Sequence, residues 1–296
     1  MSYQPHEALV APARSSAALW RLLAGAVATT ALYILLGSIA LGFGSGVMTG
    51  VYGRPDGLDM LLAADTPLAV CIWLFSFVTM ILSLVLPMRL LHGRRVLALI
   101  GDLPLALHQF LRVLVALLVL NAVLILLPTP DFLQLSLGLD PSRWLMVLPL
   151  ALAGLVIQVT AEELVFRGYL QSQLAARFAH PGVWLVVPTV IFGLLHYAPE
   201  TAGKNAGLLV VATMAFGLAA ADLTARAGTL GPAIALHLVN NVIAILLVAN
   251  AGMLDGMALW QFDADLTDGR VARAIVMLDV MVIFCSWLAA RLALRR

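Results

Sequence analysis

WLMVLPLALAGLVIQVTAEELVFRGYL, residues 144–170, is the stretch that decides the fold. It runs apolar from Trp144 to Thr160 and then meets Glu162, Glu163 and Arg167. Two adjacent carboxylates and a guanidinium are costly at membrane depth, so they call for a protein interior or a wet cavity around them. The apolar-to-polar change at Glu162 does not end the helix, because LVFRGYLQSQLAARFA still reads as helical up to the break at His180-Pro181-Gly182.

The rest of the chain has the same character. Of 296 residues 62% are hydrophobic and 11% charged, and the mean hydropathy is +1.01. A soluble domain is about half apolar and about a quarter charged. The fold class is therefore all-α, a polytopic membrane helix bundle, and the protein is integral to a membrane with lipid as its first partner. No Gly-rich phosphate loop and no basic patch of the nucleic-acid kind is present, so nucleic acid is not an expected partner. The two cysteines, Cys71 and Cys285, each sit in an apolar run and make neither a disulfide framework nor a thiolate zinc site.

A bilayer core takes about 20 apolar residues per helix. About eight segments qualify: Leu22–Gly44, Leu68–Met88, Val113–Pro128, Trp144–Thr160, Val183–Tyr197, Ala206–Ala221, Leu230–Ala249 and Ala274–Ala290. The breaks between them include Arg54-Pro55-Asp56-Gly57, His92-Gly93-Arg94-Arg95 and Pro128-Thr129-Pro130-Asp131. Val183–Tyr197 and Ala206–Ala221 are short, which suggests that they border a cavity. With both termini in the cytoplasm, 12 of the 17 basic residues fall on that side, while Asp56, Asp59, Asp65, Asp255, Asp263, Asp265 and Asp268 fall on the other. A bacterial inner membrane is the expected location. The chain divides into a tail with three spans at 1–140, a core at 141–250, and an outer loop with the last span at 251–296. His6, His92, His108 and His180 read as surface residues, and Trp20, Trp144, Trp184 and Trp260 as interfacial anchors. Gly42 and Gly46 fit a helix-packing motif or a loop equally well.

Ionisable groups inside spans gather in the second half: Glu162, Glu163 and Arg167, then His196, then His237 with Asn241; Asp279 in the last span stands alone. Glu163 and Arg167 are four apart and can pair on one helix face, a purely structural lock being the plain reading of that pair. Glu162 is left without such a partner, flanked at that spacing by Gln158 and Phe166. Glu162 lies 19 residues before Pro181 and His196 lies 15 after it, roughly 28 and 22 Å from the same turn at about 1.5 Å per residue. Two antiparallel helices joined there bring both to similar heights. A carboxylate can serve as general base toward water. An imidazole can share that work, or hold an oxyanion together with an asparagine amide. That chemistry describes a water-attack hydrolase. A proton-coupled transporter also uses buried Glu and His, although transporters often show two related halves and the polar residues here fall in one.

EELVFR (Glu162, Glu163, Arg167), FGLLH (Phe192, His196) and HLVNN (His237, Asn241) resemble the Glu-Glu-x-x-x-Arg, Phe-x-x-x-His and His-x-x-x-Asn motifs of the CAAX-prenyl-protease and bacteriocin-processing family of intramembrane endopeptidases. The likeness spans about residues 144 to 250. It implies that Glu162 activates the attacking water with help from His196. It implies also that His237 and Asn241 stabilise the oxyanion, that Glu163 and Arg167 support the site through their ion pair, and that Phe192 packs beside His196. The implied substrate is a membrane-attached or lipidated protein or peptide. A non-catalytic regulator or scaffold of the same family would carry the same residues. The family is often described as metalloproteases. A zinc ion could take His196, His237 and a glutamate, whereas a metal-independent, glutamate-based mechanism fits equally well and asparagine is an uncommon zinc ligand.

Overall fold

The computed structural model describes residues 3–128, 133–252 and 254–295. Most of the Pro128–Asp131 break and the C-terminal Arg296 lie outside the described residues. Among the described residues the main apolar helices of the bundle are α1 Leu19–Tyr52, α2 Pro67–His92, α3 Leu103–Leu124, α4 Pro141–Arg177, α5 Pro181–Leu194, α6 Ala206–Ala227, α7 Gly231–Leu247 and α8 Gly269–Leu294. Among the described residues, six are long and apolar enough to cross a membrane, while α5 and α7 are shorter. The sequence reading placed the two short helices at 183–197 and 206–221. The second of these is instead the 22-residue α6, and α7 takes its place as the second short one.

The breaks act through ordinary capping chemistry. Asp140 accepts hydrogen bonds from the backbone N–H groups of Ser142 and Arg143, with Pro141 in the first turn of α4. Asp102 caps α3 through Leu105 N at 2.9 Å, and Asp268 caps α8 through Arg270 N at 2.7 Å. The His180 ring accepts from Gly182 N at 3.1 Å and so starts α5. At the other ends, Gly53, Gly93 and Gly228 take left-handed backbone conformations at φ 64°, 64° and 75°, which an L side chain rarely adopts.

α4 is the spine of the site. It packs on α2, where a Cβ on Gly154 would lie 2.9 Å from Leu74 Cβ, so only glycine permits this approach. α7 lies against α3 and α4, α6 against α5 and α8, and α8 against α3. Phe166, Phe192, Phe216, Leu223 and Leu236 are buried together where α4 to α7 meet. Two segments depart from α-helical winding: Leu164–Gln171 within α4 and Val242–Leu247 at the end of α7 are π-helical. Each begins directly after a candidate site residue, Glu163 and Asn241 respectively, and π turns are frequent at functional sites.

Several expectations are corrected. The segments before α4 and after α7 are not simply loop: Ser136–Leu137 (β1), Val248–Asn250 (β2) and Trp260–Phe262 (β3) form a small sheet in the order β1-β3-β2, with β1 antiparallel and β2 parallel to β3. Gly42 and Gly46 lie within α1, and the adjacent Gly44 faces Ile72 and Leu61. Residues 4–16 fold into three short helical turns rather than a solvated tail. They carry His6 to a buried position against Trp184, so His6 is not a surface residue and Trp184 is not an exposed anchor. His92 is also buried, whereas His108 and His180 are exposed as expected. His92 Nδ1 lies 3.0 Å from Ser16 Oγ and 3.1 Å from Gln173 Nε2, and its Nε2 lies 3.0 Å from the Tyr169 hydroxyl. One imidazole thus ties the N-terminal turns to the π segment of α4. His92→Ala is expected to lower stability by about 1–3 kcal/mol, because it leaves buried polar partners unpaired. Thermal unfolding in detergent, with exposed His108→Ala as the neutral control, measures this.

Candidate active site

α4, α5 and α7 bring Glu162, His196, His237 and Asn241 to the wall of one cavity of about 160 Å³. The tight turn at His180–Gly182 sets α4 beside α5, and it brings Glu162 and His196 together as the residue count from Pro181 predicts. Glu162 is only 7% exposed and His237 only 4%, whereas His196 is exposed at the opening.

Glu162 has a local partner that the sequence reading overlooked. Gln158, one turn earlier, donates from Nε2 to Glu162 Oε1 at 2.7 Å and accepts from Asn241 Nδ2 at 2.8 Å. A neutral amide at i−4 carries no charge complementary to a carboxylate, so the charge pattern does not mark Gln158 as its partner. Its joining of α4 to α7 depends on tertiary contact. The other oxygen, Oε2, is buried with no hydrogen-bond partner in the protein and lies 3.6 Å from His237 Nε2.

The second carboxylate is placed differently. Glu163 is fully buried, and its Oε1 accepts from Arg167 Nη1 at 2.9 Å and from His237 Nδ1 at 2.8 Å. Arg167, 1% exposed, also donates from Nη2 to Gly217 O at 3.3 Å, and its guanidinium carbon lies 4.7 Å from the centroid of the Phe192 ring. The Glu163–Arg167 pair is thus real, and it reaches the site by holding His237.

The two imidazoles share a protonation pattern. His196 Nδ1 lies 2.8 Å from the Phe192 carbonyl oxygen, which can only accept, so Nδ1 carries hydrogen. His237 Nδ1 likewise donates to the Glu163 carboxylate. Each neutral ring therefore keeps its lone pair on Nε2. Phe192 also stacks against the His196 ring, with centroids 4.7 Å apart. Among the described residues, no group of three or more His, Cys, Asp or Glu side chains is arranged to hold a metal ion. That absence covers His196 and His237 taken together with either glutamate.

A larger hollow of about 480 Å³ shares Gln158, Glu162, Phe192, His196 and Asn241 with the first cavity. Its additional walls are apolar and aromatic, among them Tyr33, Trp73, Phe77 and Met80. The site therefore has a small polar chamber and a broad greasy one, with Glu162 on the boundary.

Residues 143–243 match the sequence model of the Rce1-like family, type II CAAX prenyl endopeptidases, and the match contains every residue just described on α4, α5 and α7. The matched stretch is the segment that supplies Glu162, His196, His237 and Asn241. An uncharacterized protein of Bacillus subtilis (strain 168), YyaK, is 26% identical over 117 residues, 40% of this chain. The matched stretch spans 39% of that relative's own length. No solved structure matches the chain.

Removing Arg167 leaves the Glu163 charge buried with one partner fewer. Arg167→Ala is expected to cost about 3–5 kcal/mol of stability. Arg167→Lys, which keeps the charge but not the two-pronged donor, is expected to cost less. Denaturation midpoints of the purified variants in detergent provide the comparison.

Proposed function

We propose that the protein is an intramembrane endopeptidase that hydrolyses a peptide bond in a membrane-attached or lipidated substrate. The observation that carries this reading is Glu162: a buried carboxylate with one oxygen held by Gln158 and the other unpaired at the cavity wall, 3.6 Å from His237 Nε2. Glu163 also keeps one oxygen without a hydrogen-bond partner, but it is fully enclosed by protein, whereas Glu162 lines the cavity where a water can reach it.

In this mechanism a water molecule donates to Glu162 Oε2 and is oriented by His196 Nε2. Glu162 takes one proton as the water oxygen bonds to the substrate carbonyl carbon. The oxyanion that forms is held by the Asn241 amide beside His237, whose ring Glu163 fixes at Nδ1. Glu162 then returns the proton to the departing nitrogen as the C–N bond breaks. The apolar hollow supports the substrate class, because a lipid chain or apolar segment entering from the bilayer would lie beside the scissile bond. Both termini cytoplasmic in a bacterial inner membrane is the orientation this reading adopts, on the distribution of arginines.

Cleavage assays on purified protein in lipid test the assignment. Glu162→Gln, His196→Ala and His237→Ala are each expected to lower kcat by about 10²–10⁴-fold; the first two keep unfolding temperatures close to wild type, whereas His237→Ala lowers the unfolding temperature by removing a buried donor to Glu163. Cleavage by the Glu162→Gln variant at the wild-type rate refutes the base. A chelator in the same assay is expected to leave turnover unchanged.

A further inference from the structure

Asp279 plays no part in the hydrolytic scheme, and α8 lies outside the family-matched segment at 143–243. Yet Asp279, near the middle of α8, lines the same 160 Å³ chamber as Glu162 and His237. Asp279 is exposed rather than buried and has no ion-pair partner among the described residues, and an unpaired carboxylate on a membrane-spanning helix is costly unless it meets water or a cation.

The charge balance of the chamber is one-sided. Glu163 is neutralised by Arg167. Glu162, 7% exposed and with no hydrogen-bond partner at Oε2, has the neutral Gln158 amide and the His237 imidazole, 3.6 Å from Oε2, beside it. No lysine or arginine lines the chamber, and its remaining polar walls include Thr213 and Asn240. Two carboxylates thus face one small space that holds no resident cation. A space of this volume admits a single long side chain or a few waters.

Building on the peptidase reading, we infer that Asp279 is a specificity determinant: the chamber receives a lysine or arginine side chain of the substrate, close to the scissile bond, and Asp279 pairs with its charge. The apolar hollow that shares Glu162 takes the opposite flank of the bond. The substrate class is then a membrane-attached peptide with a basic residue on one side of the cleaved bond and bulky apolar character on the other. An aliphatic residue in the chamber would leave Asp279 desolvated and unpaired, so discrimination arises as much from rejection as from attraction.

Binding separates this inference from catalysis. Full-length protein carrying Glu162→Gln, with and without Asp279→Asn, is placed in lipid nanodiscs. It is titrated with fluorescent peptides that differ only in lysine, norleucine or glutamate at one position, scanned along the peptide. At one position lysine is expected to bind at least about tenfold tighter than norleucine, a step worth about 1.4 kcal/mol. Asp279→Asn is expected to bring that ratio near one, Asp279→Glu to retain it, and Asp279→Lys to favour glutamate. Because Asp279→Glu keeps the charge, it distinguishes loss of recognition from loss of folding. Equal binding of lysine and norleucine at every position, or a ratio unchanged by Asp279→Asn, overturns the assignment. Wild-type protein is run on the same peptides for cleavage. Lysine-selective binding without cleavage sinks the peptidase reading alone, and cleavage without lysine preference sinks the Asp279 assignment alone.

Discussion

The site depends on one oxygen atom. Glu163 Oε1 accepts from Arg167, one turn along α4, and from His237 on α7, at 2.9 and 2.8 Å. Enclosing a carboxylate and a guanidinium this completely carries a desolvation cost of several kcal/mol per ion, which only close geometry and further hydrogen bonds offset. Here the further bonds run from Arg167 to Gly217 O on α6 and from His237 to Glu163. The pair therefore joins three helices, and it fixes which nitrogen of His237 faces the cavity.

Two neighbouring carboxylates in one tripeptide end up in opposite conditions. Glu163 points into protein and is saturated on one oxygen by charged and imidazole donors. Glu162 points to a cavity with one oxygen tethered by an amide and the other open. Adjacent helical residues differ by about 100° in direction, which is enough to place one in the core and the next at the wall. The π segment that starts at Leu164 widens the turn just beyond them. It also carries Tyr169 to His92 and so to the N-terminal turns. Packing around the site thus reaches the N-terminal turns through His92, alongside the Tyr3–Asp222 hydrogen bond and the His6–Trp184 contact.

The two chambers divide the chemistry of the site. The smaller is bounded by amides, imidazoles and carboxylates, and the larger by aromatic and aliphatic side chains from α1 and α2. A polar pocket held within an apolar bundle lets water reach an amide bond while the substrate stays in lipid, because irregular or polar groups at this depth are tolerated where they line a cavity.

Much of the architecture was legible from composition and punctuation. Runs of about 20 apolar residues compel helices in lipid, since every backbone polar group must be satisfied within the segment. Asp140-Pro141, His180-Pro181 and Asp268 mark helix starts by chemistry that is local in sequence. The residue count through Pro181 was sufficient to set Glu162 against His196, because a short turn leaves two helices no other register. Tertiary contact alone decided the rest. Gln158 became the bridge between Glu162 and Asn241, His6 and His92 went inside, and Asp279 joined the cavity, all by approaches between segments about 80 or more residues apart or between faces whose orientation no periodicity records. The π turns, too, escape a reading based on 3.6-residue winding, since the same residues satisfy either helix and only the packing of α4 and α7 selects the wider one.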